Sequence, residues 1–180
     1  MTRTDRYLVY PFSEQVGVKF REERIEVKAK VRDLDLLEVG DHVSGKMELW
    51  EKWSAGAESV PLLFRDISGT ADHWIDVTKT RWMRVFNAVG DKVTESDPGR
   101  SQEHPGEGCY AEITGIVVGD RSFWTLGLEA FGEEGSIEAT LIKTAKLLFH
   151  PKAPHRGLTE TNAFAYPAFL RSIRMTDPTG

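Results

Sequence analysis

Three pairs of basic residues recur at i, i+2 spacing: Lys19 with Arg21, Lys28 with Lys30, and Lys79 with Arg81. In an extended strand this spacing places both side chains of a pair on one face. If the three faces point into one cavity, six cations line it. The common small molecule that neutralises such a lining is a polyanion, of which a chain of phosphates is the plainest example. Glu26, Glu48, Glu112 and Glu129 stand in the same kind of stretch. Carboxylates beside phosphate oxygens ordinarily share a divalent cation with them. Alternating charge is also the usual pattern of a solvated outer face opposite a core. Against that reading stands the uniform basic sign of the three pairs, which a solvated outer face does not require.

These residues need strands to position them. Period-two alternation dominates the chain and is broken by turn residues. Residues 7–10 form a short β-prone run ended by Pro11, and residues 18–21 alternate apolar and basic. Glu22-Glu23-Arg24 reads as a polar turn into residues 25–31, where Ile25, Val27, Ala29 and Val31 share one face and Glu26, Lys28 and Lys30 the other. Residues 46–53 and 74–86 read as further strands. In the latter, Ile75, Val77, Met83 and Val85 share a face with Lys79 and Arg81. Residues 59–67 are an apolar stretch that fits a short helix entered near Pro61. The region from about 87 to 108 is rich in Gly, Pro, Asp, Glu and Ser, and reads as a long loop. Residues 109–118 and 122–131, joined at Gly119-Asp120, read as a hairpin. Residues 136–149 predict the best helix, with Ser136 at its N-cap, a stripe of Ile137, Leu141, Ile142, Ala145, Leu148 and Phe149, and His150-Pro151 as its stop. A last short helix is expected from Tyr166-Pro167 through Ile173. The tally is an α+β fold, an antiparallel β-barrel or tunnel of about seven or eight strands with two or three helices.

Composition narrows the function classes. The 180 residues fit a single domain, 1–180, with 40% hydrophobic and 28% charged residues. Lys and Arg number 23 against 28 Asp and Glu, for a net charge of -5, so general affinity for nucleic acid or anionic membrane is not expected. Any anion site must be local. No apolar run approaches the ~18 residues of a membrane helix, and the first residues lack a secretory pattern. Cys109 is the single cysteine, which excludes an internal disulfide. A cytoplasmic protein is the expectation.

The same residues carry a family resemblance. Val18-Lys19-Phe20-Arg21 followed by Ile25-Glu26-Val27-Lys28 resembles the paired strands of the CYTH superfamily, the triphosphate tunnel metalloenzymes. Lys46-Met47-Glu48-Leu49-Trp50-Glu51 resembles the acidic strand that follows, and Val77-Thr78-Lys79-Thr80-Arg81 the lysine-x-arginine strand. Ala111-Glu112-Ile113-Thr114 and Leu126-Gly127-Leu128-Glu129-Ala130-Phe131 are similar to the two acidic strands, and the closing helix and the late segment with Tyr166 fall in family order. The resemblance spans residues 5 to about 170. It implies a tunnel that binds triphosphate, with Lys19, Arg21, Lys28, Lys30, Lys79 and Arg81 on the phosphates, Lys79 and Arg81 as the catalytic pair, and Glu48, Glu112 and Glu129 holding Mg2+ or Mn2+. Two departures stand against full activity. No Glu-x-Glu-x-Lys motif is present, since residues 4–8 look like the family's second strand and its first strand is expected to be missing. Thr114 stands where the family commonly has an acid.

Three functions follow as expectations: metal-dependent hydrolysis of tripolyphosphate, a nucleoside triphosphate or thiamine triphosphate; a non-catalytic polyanion-binding module of the same fold; or a calycin-like barrel with an apolar ligand. The last rests on Trp50, Trp53, Trp74, Trp82 and Trp124. A gap left by a missing first strand would expose edges that a second subunit covers, so a homodimer is a further expectation. Other features are weak. The five histidines show no metal spacing, Cys109 lacks a basic neighbour, and Gly132-Glu133-Glu134-Gly135 is not followed by the Lys-Ser/Thr of a phosphate loop.

Overall fold

Turn chemistry and alternation fold most of the chain into strands. The structure is a computed structural model and describes residues 2–9, 14–56, 58, 73–96, 106–149 and 158–175. Among them are β1 (Thr2–Leu8), β2 (Val16–Arg21), β3 (Arg24–Val39), β4 (Val43–Gly56), β5 (Trp74–Val89), β6 (Lys92–Glu95), β7 (Gly108–Val118) and β8 (Arg121–Phe131). They pair antiparallel throughout, in the order β4-β3-β2-β1-β5-β7-β8, with β6 paired to β5. Phe86 opposes Glu95 on one side and Cys109 on the other, so β6 continues the edge of β5 that β1 occupies further back. Two helices, α1 (Glu134–Leu148) and α2 (Tyr166–Met175), follow the strands, with a single 3₁₀ turn at Glu160–Asn162 between them. The fold is α+β and mostly strand.

The path ends at β4 and β8, which are not hydrogen-bonded to each other, so the sheet is open along that seam. It is nonetheless strongly curled. Lys28 on β3 reaches Glu129 on β8 at 3.0 Å, although four strands lie between them in the sheet. Two register shifts in the β3–β4 ladder, between Lys30 and Arg32 and between Asp33 and Leu36, bend these long strands where the curl needs it.

Each side of the sheet has its own apolar cluster. On the concave side, Tyr7, Val9, Val77 and Ile116 pack with Leu170 and Ile173 of α2. On the convex side, Phe86, Cys109 and Ala111 lie under α1, which also joins Leu37, Val43 and Met47 of β3 and β4 through Ala145 and Phe149. By bridging the far ends of β3 and β4 to β8, α1 holds the curl across the unpaired seam. The α1 stripe follows the expected period, but the helix starts at Glu134 with Glu133 as its N-cap, and Ser136 donates its hydroxyl back to the Glu133 carbonyl.

Several expectations are corrected. Of the run at 7–10, Tyr7 and Leu8 end a strand that begins at Thr2, Val9 follows it, and Tyr10 lies outside the described residues. Within the loop expected at 87–108, Asn87–Val89 end β5 and Lys92–Glu95 form β6, because the turn at Gly90-Asp91 lets the chain fold back on β5, while residues 97–105 lie outside the described residues. The apolar stretch 59–67 and the helix stop at 150–151 lie outside the described residues.

Candidate functional site

Directly opposed residues of an antiparallel pair share a face, so the register traces one face across the sheet. Arg3 opposes Lys79, Tyr7 opposes both Lys19 and Ile75, and Lys19 opposes Glu26. Lys28 opposes Lys52, Lys30 opposes Trp50, and Asp33 opposes Glu48. Arg81 opposes Thr114, Met83 opposes Glu112, and Tyr110 opposes Glu129. With the two-residue period, this puts every residue singled out from the sequence on the concave face: Lys19, Arg21, Lys28, Lys30, Glu48, Lys79, Arg81, Glu112 and Glu129. The solvated outer-face reading of the alternation does not hold for them. Arg3, Asp5, Tyr7, Glu26 and Lys52 share that face.

Lys79 lies at its centre and is 4% exposed. Its ammonium donates a hydrogen bond to the Tyr7 hydroxyl and sits 3.7 Å from the centroid of the Tyr166 ring and 4.6 Å from that of Tyr7. The two rings stack, 5.8 Å apart and tilted by 15°. Among the described residues no carboxylate lies within ion-pair distance of Lys79. Aromatic faces attract a cation but solvate it less well than water does. Burial accordingly lowers its pKa to about 7; Asp5 and Glu112 pull it upward, while Lys19 and Arg3 push it further down. Burial also raises the Tyr7 phenol above its ordinary range and pushes Tyr166 up to about 12, so both rings stay neutral near pH 7.

Beside Lys79 lies Asp5, which is 0% exposed. Its carboxylate is 3.2 Å from Arg3 Nε and 4.0 Å from Lys19 Nζ, and neither oxygen accepts a well-formed hydrogen bond. Lys19 Nζ lies 2.6 Å from Glu26, which Lys52 approaches to 3.6 Å. Burial works to raise Glu26, but the hydrogen bond and charge of Lys19, with Lys52 and Arg21, outweigh it and lower the pKa. Among the described residues Arg21 has only Glu22, 3.6 Å from its Nε, within ion-pair distance. Around Asp5 and Glu26 there are thus five cations on this face, Arg3, Lys19, Arg21, Lys52 and Lys79.

Toward the rim the charges pair off. Arg81 donates to Glu112, which also accepts the Thr114 hydroxyl. Glu48 accepts from Lys30 at 3.3 Å and from the Trp50 indole at 3.0 Å, and Lys30 donates to Asp33 at 2.7 Å. Lys28 donates to Glu129 at 3.0 Å. Glu48, Glu112 and Glu129 therefore each have a cation of their own. Among the described residues no three His, Cys, Asp or Glu side chains come together as a group that could hold a metal ion. Glu48, Glu112 and Glu129 are thus not gathered into one ligand set for Mg2+ or Mn2+ among the described residues.

No family model, curated protein or solved structure matches this chain. The site therefore has to be read from its own chemistry. The tryptophans do not gather around a cavity: Trp53, Trp82 and Trp124 are exposed on the convex face, Trp74 packs on Phe20, and Trp50 turns its N–H to Glu48. Among the described residues no helix is long and apolar enough to cross a membrane.

The residues that sequence reasoning missed are Arg3, Asp5, Tyr7 and Lys52. Their signal was weak: in Arg3-Thr4-Asp5-Arg6-Tyr7 the charged residues stand at 3, 5 and 6, so no clean two-residue period marks the inward face.

Proposed function

We propose that the concave face binds a small polyanion, tripolyphosphate or the triphosphate group of an organic molecule, in a curled sheet of the CYTH type, without a resident metal and without turnover. The observation that carries this reading is the excess of cations at the centre of the face, with Lys79 buried and, among the described residues, without a carboxylate in ion-pair distance, in a chain whose net charge is -5. A protein of that overall sign gains nothing in stability by crowding Arg3, Lys19, Arg21, Lys52 and Lys79 around two carboxylates. A ligand carrying several negative charges would neutralise them. Arginine suits the role because its planar fork donates two parallel hydrogen bonds to phosphate oxygens, and Arg3, Arg21 and Arg81 supply three such forks. Metal-dependent hydrolysis is left out because the carboxylates it would require are spread over the rim and neutralised one by one.

Calorimetric titration with tripolyphosphate in excess chelator tests the proposal. Binding should be seen without metal, and should weaken at least tenfold in Arg3→Ala and in Arg81→Ala. It should be unchanged in Lys143→Ala, whose side chain pairs with Asp91 away from the concave face. A flat titration across tripolyphosphate, pyrophosphate and ATP, or binding indifferent to Arg3 and Arg81, would overturn it.

A further inference from the structure

Occupancy of the concave face must change the charge state of some group there, because a polyanion brings several negative charges into a poorly solvated space. Most of the facing groups have no freedom to respond. Arg3 on β1, Arg21 on β2 and Arg81 on β5 are guanidinium groups, charged at every relevant pH. Lys19 on β2 is lowered in pKa by burial, but Glu26 of β3 at 2.6 Å opposes that effect as a direct counter-charge, which Lys79 lacks among the described residues. Lys28 and Lys30 on β3 are paired with Glu129 and Glu48. Tyr7 on β1 and Tyr166 on α2 are held as neutral phenols by burial. Asp5 on β1 and Glu112 on β7 are the carboxylates that act on Lys79, and each lies beside an arginine, Arg3 and Arg81. What remains is Lys79 on β5, buried against two aromatic faces with a neutral hydroxyl as its hydrogen-bond partner.

We propose that the anion site is proton-linked through Lys79: a bound polyanion draws one proton from solvent onto the Lys79 amine, converting it from –NH2 to –NH3+, so that ligand and proton bind together. The proposal rests on the polyanion reading above. Direct contact is not required, since charges several ångströms apart interact strongly where water is excluded. In the free protein the amine is charged below about pH 7 and increasingly neutral above it. A ligand that raises this midpoint causes no uptake at pH 6, where the amine is already charged, and uptake approaching one proton per ligand a unit or two above pH 7. By linkage, affinity above pH 7 then falls with pH, by up to roughly tenfold per unit.

The experiment is calorimetry of tripolyphosphate binding in chelator, at pH 6 and pH 8.5, each in two buffers of different ionisation heat so that protons are counted. Tripolyphosphate titrates on its own account, so the quantity compared is the difference between wild type and Lys79→Met. At pH 8.5 wild type should take up close to one proton more per ligand than the variant, and at pH 6 the difference should vanish. Lys79→Arg should bind without this extra uptake and without the extra loss of affinity at high pH. Equal proton counts in wild type and Lys79→Met at both pH values overturn the inference, whereas absence of binding by wild type overturns the polyanion reading itself. Should the variants fail to fold, the Lys79 Cε resonance of wild type decides the matter. Its titration midpoint should rise by more than about two pH units on saturation with tripolyphosphate, as near-unit uptake at pH 8.5 requires, and an unmoved midpoint overturns the proposal.

Discussion

Lys79 is a charged group placed where charge is poorly solvated, and this has a consequence for stability as well as binding. Its folded pKa, about 7, lies below the ordinary 10.5, so between these values the unfolded chain holds a proton that the folded chain has released. Stability therefore rises with pH through that window, and the full penalty applies below pH 7. Lys79→Met should accordingly be more stable than wild type at pH 6, by on the order of 2 kcal/mol after loss of the Tyr7 hydrogen bond and the ring contacts, and the gap should narrow by pH 9. Thermal melts at the two pH values check this, and a variant less stable at pH 6 would contradict it. A substitution that stabilises the fold while weakening the ligand is the mark of a residue kept for binding. At this scale the sequence was informative about spacing: Lys19 with Arg21 and Lys79 with Arg81 were recognisable as basic pairs at i, i+2, the second of them on an otherwise apolar face. The partner of Lys79 was not recognisable, since Tyr7 and Tyr166 are 159 residues apart and meet only through packing.

Among the elements, the β2–β3 hairpin and α2 bear most directly on the site. Glu22 and Glu23 close the hairpin with φ of 48° and 59°, a left-handed conformation that β-carbon-bearing residues resist. Replacing the pair with Asn-Gly, which suits a two-residue hairpin turn, should stabilise the protein by about 1 kcal/mol. Chemical denaturation reads this out, and a loss of stability would show that the glutamates support the turn through contacts of their own. Helix α2 sets Tyr166 on Lys79 and is anchored by Leu170, which is 1% exposed. Leu170→Ala should cost about 2–5 kcal/mol in denaturation and also quench any pH-linked anion binding, because it loosens the floor beneath Lys79. Unchanged stability would mean that α2 is not part of the core. Hairpins and both helices were visible in turn residues and apolar period. The strand β6 was not, because its four residues lie among Gly, Asp and Glu and become a strand only through pairing with the end of β5, where Arg84 grips Glu95.

Over the whole molecule, a chain of net charge -5 turns a cation-rich face inward on a curled, unclosed sheet. Local patterning specifies which residues share a face, but whether two edges meet depends on the accumulated twist and stagger of all the strands, which is why a closed barrel was expected and an open seam is found. The charge arrangement also makes binding sensitive to ionic strength. Tripolyphosphate affinity should fall roughly tenfold or more between 50 and 500 mM salt, as screening shortens the reach of the rim cations, and an affinity indifferent to salt would count against an electrostatic site. The most direct measurement is the map of amide chemical-shift changes on adding tripolyphosphate to wild-type protein in chelator. The account predicts shifts concentrated at Arg3, Asp5, Lys19, Lys79 and Arg81, with the convex-face Trp82 and Trp124 unmoved. An absence of shifts, or a map centred on the convex face, would contradict it.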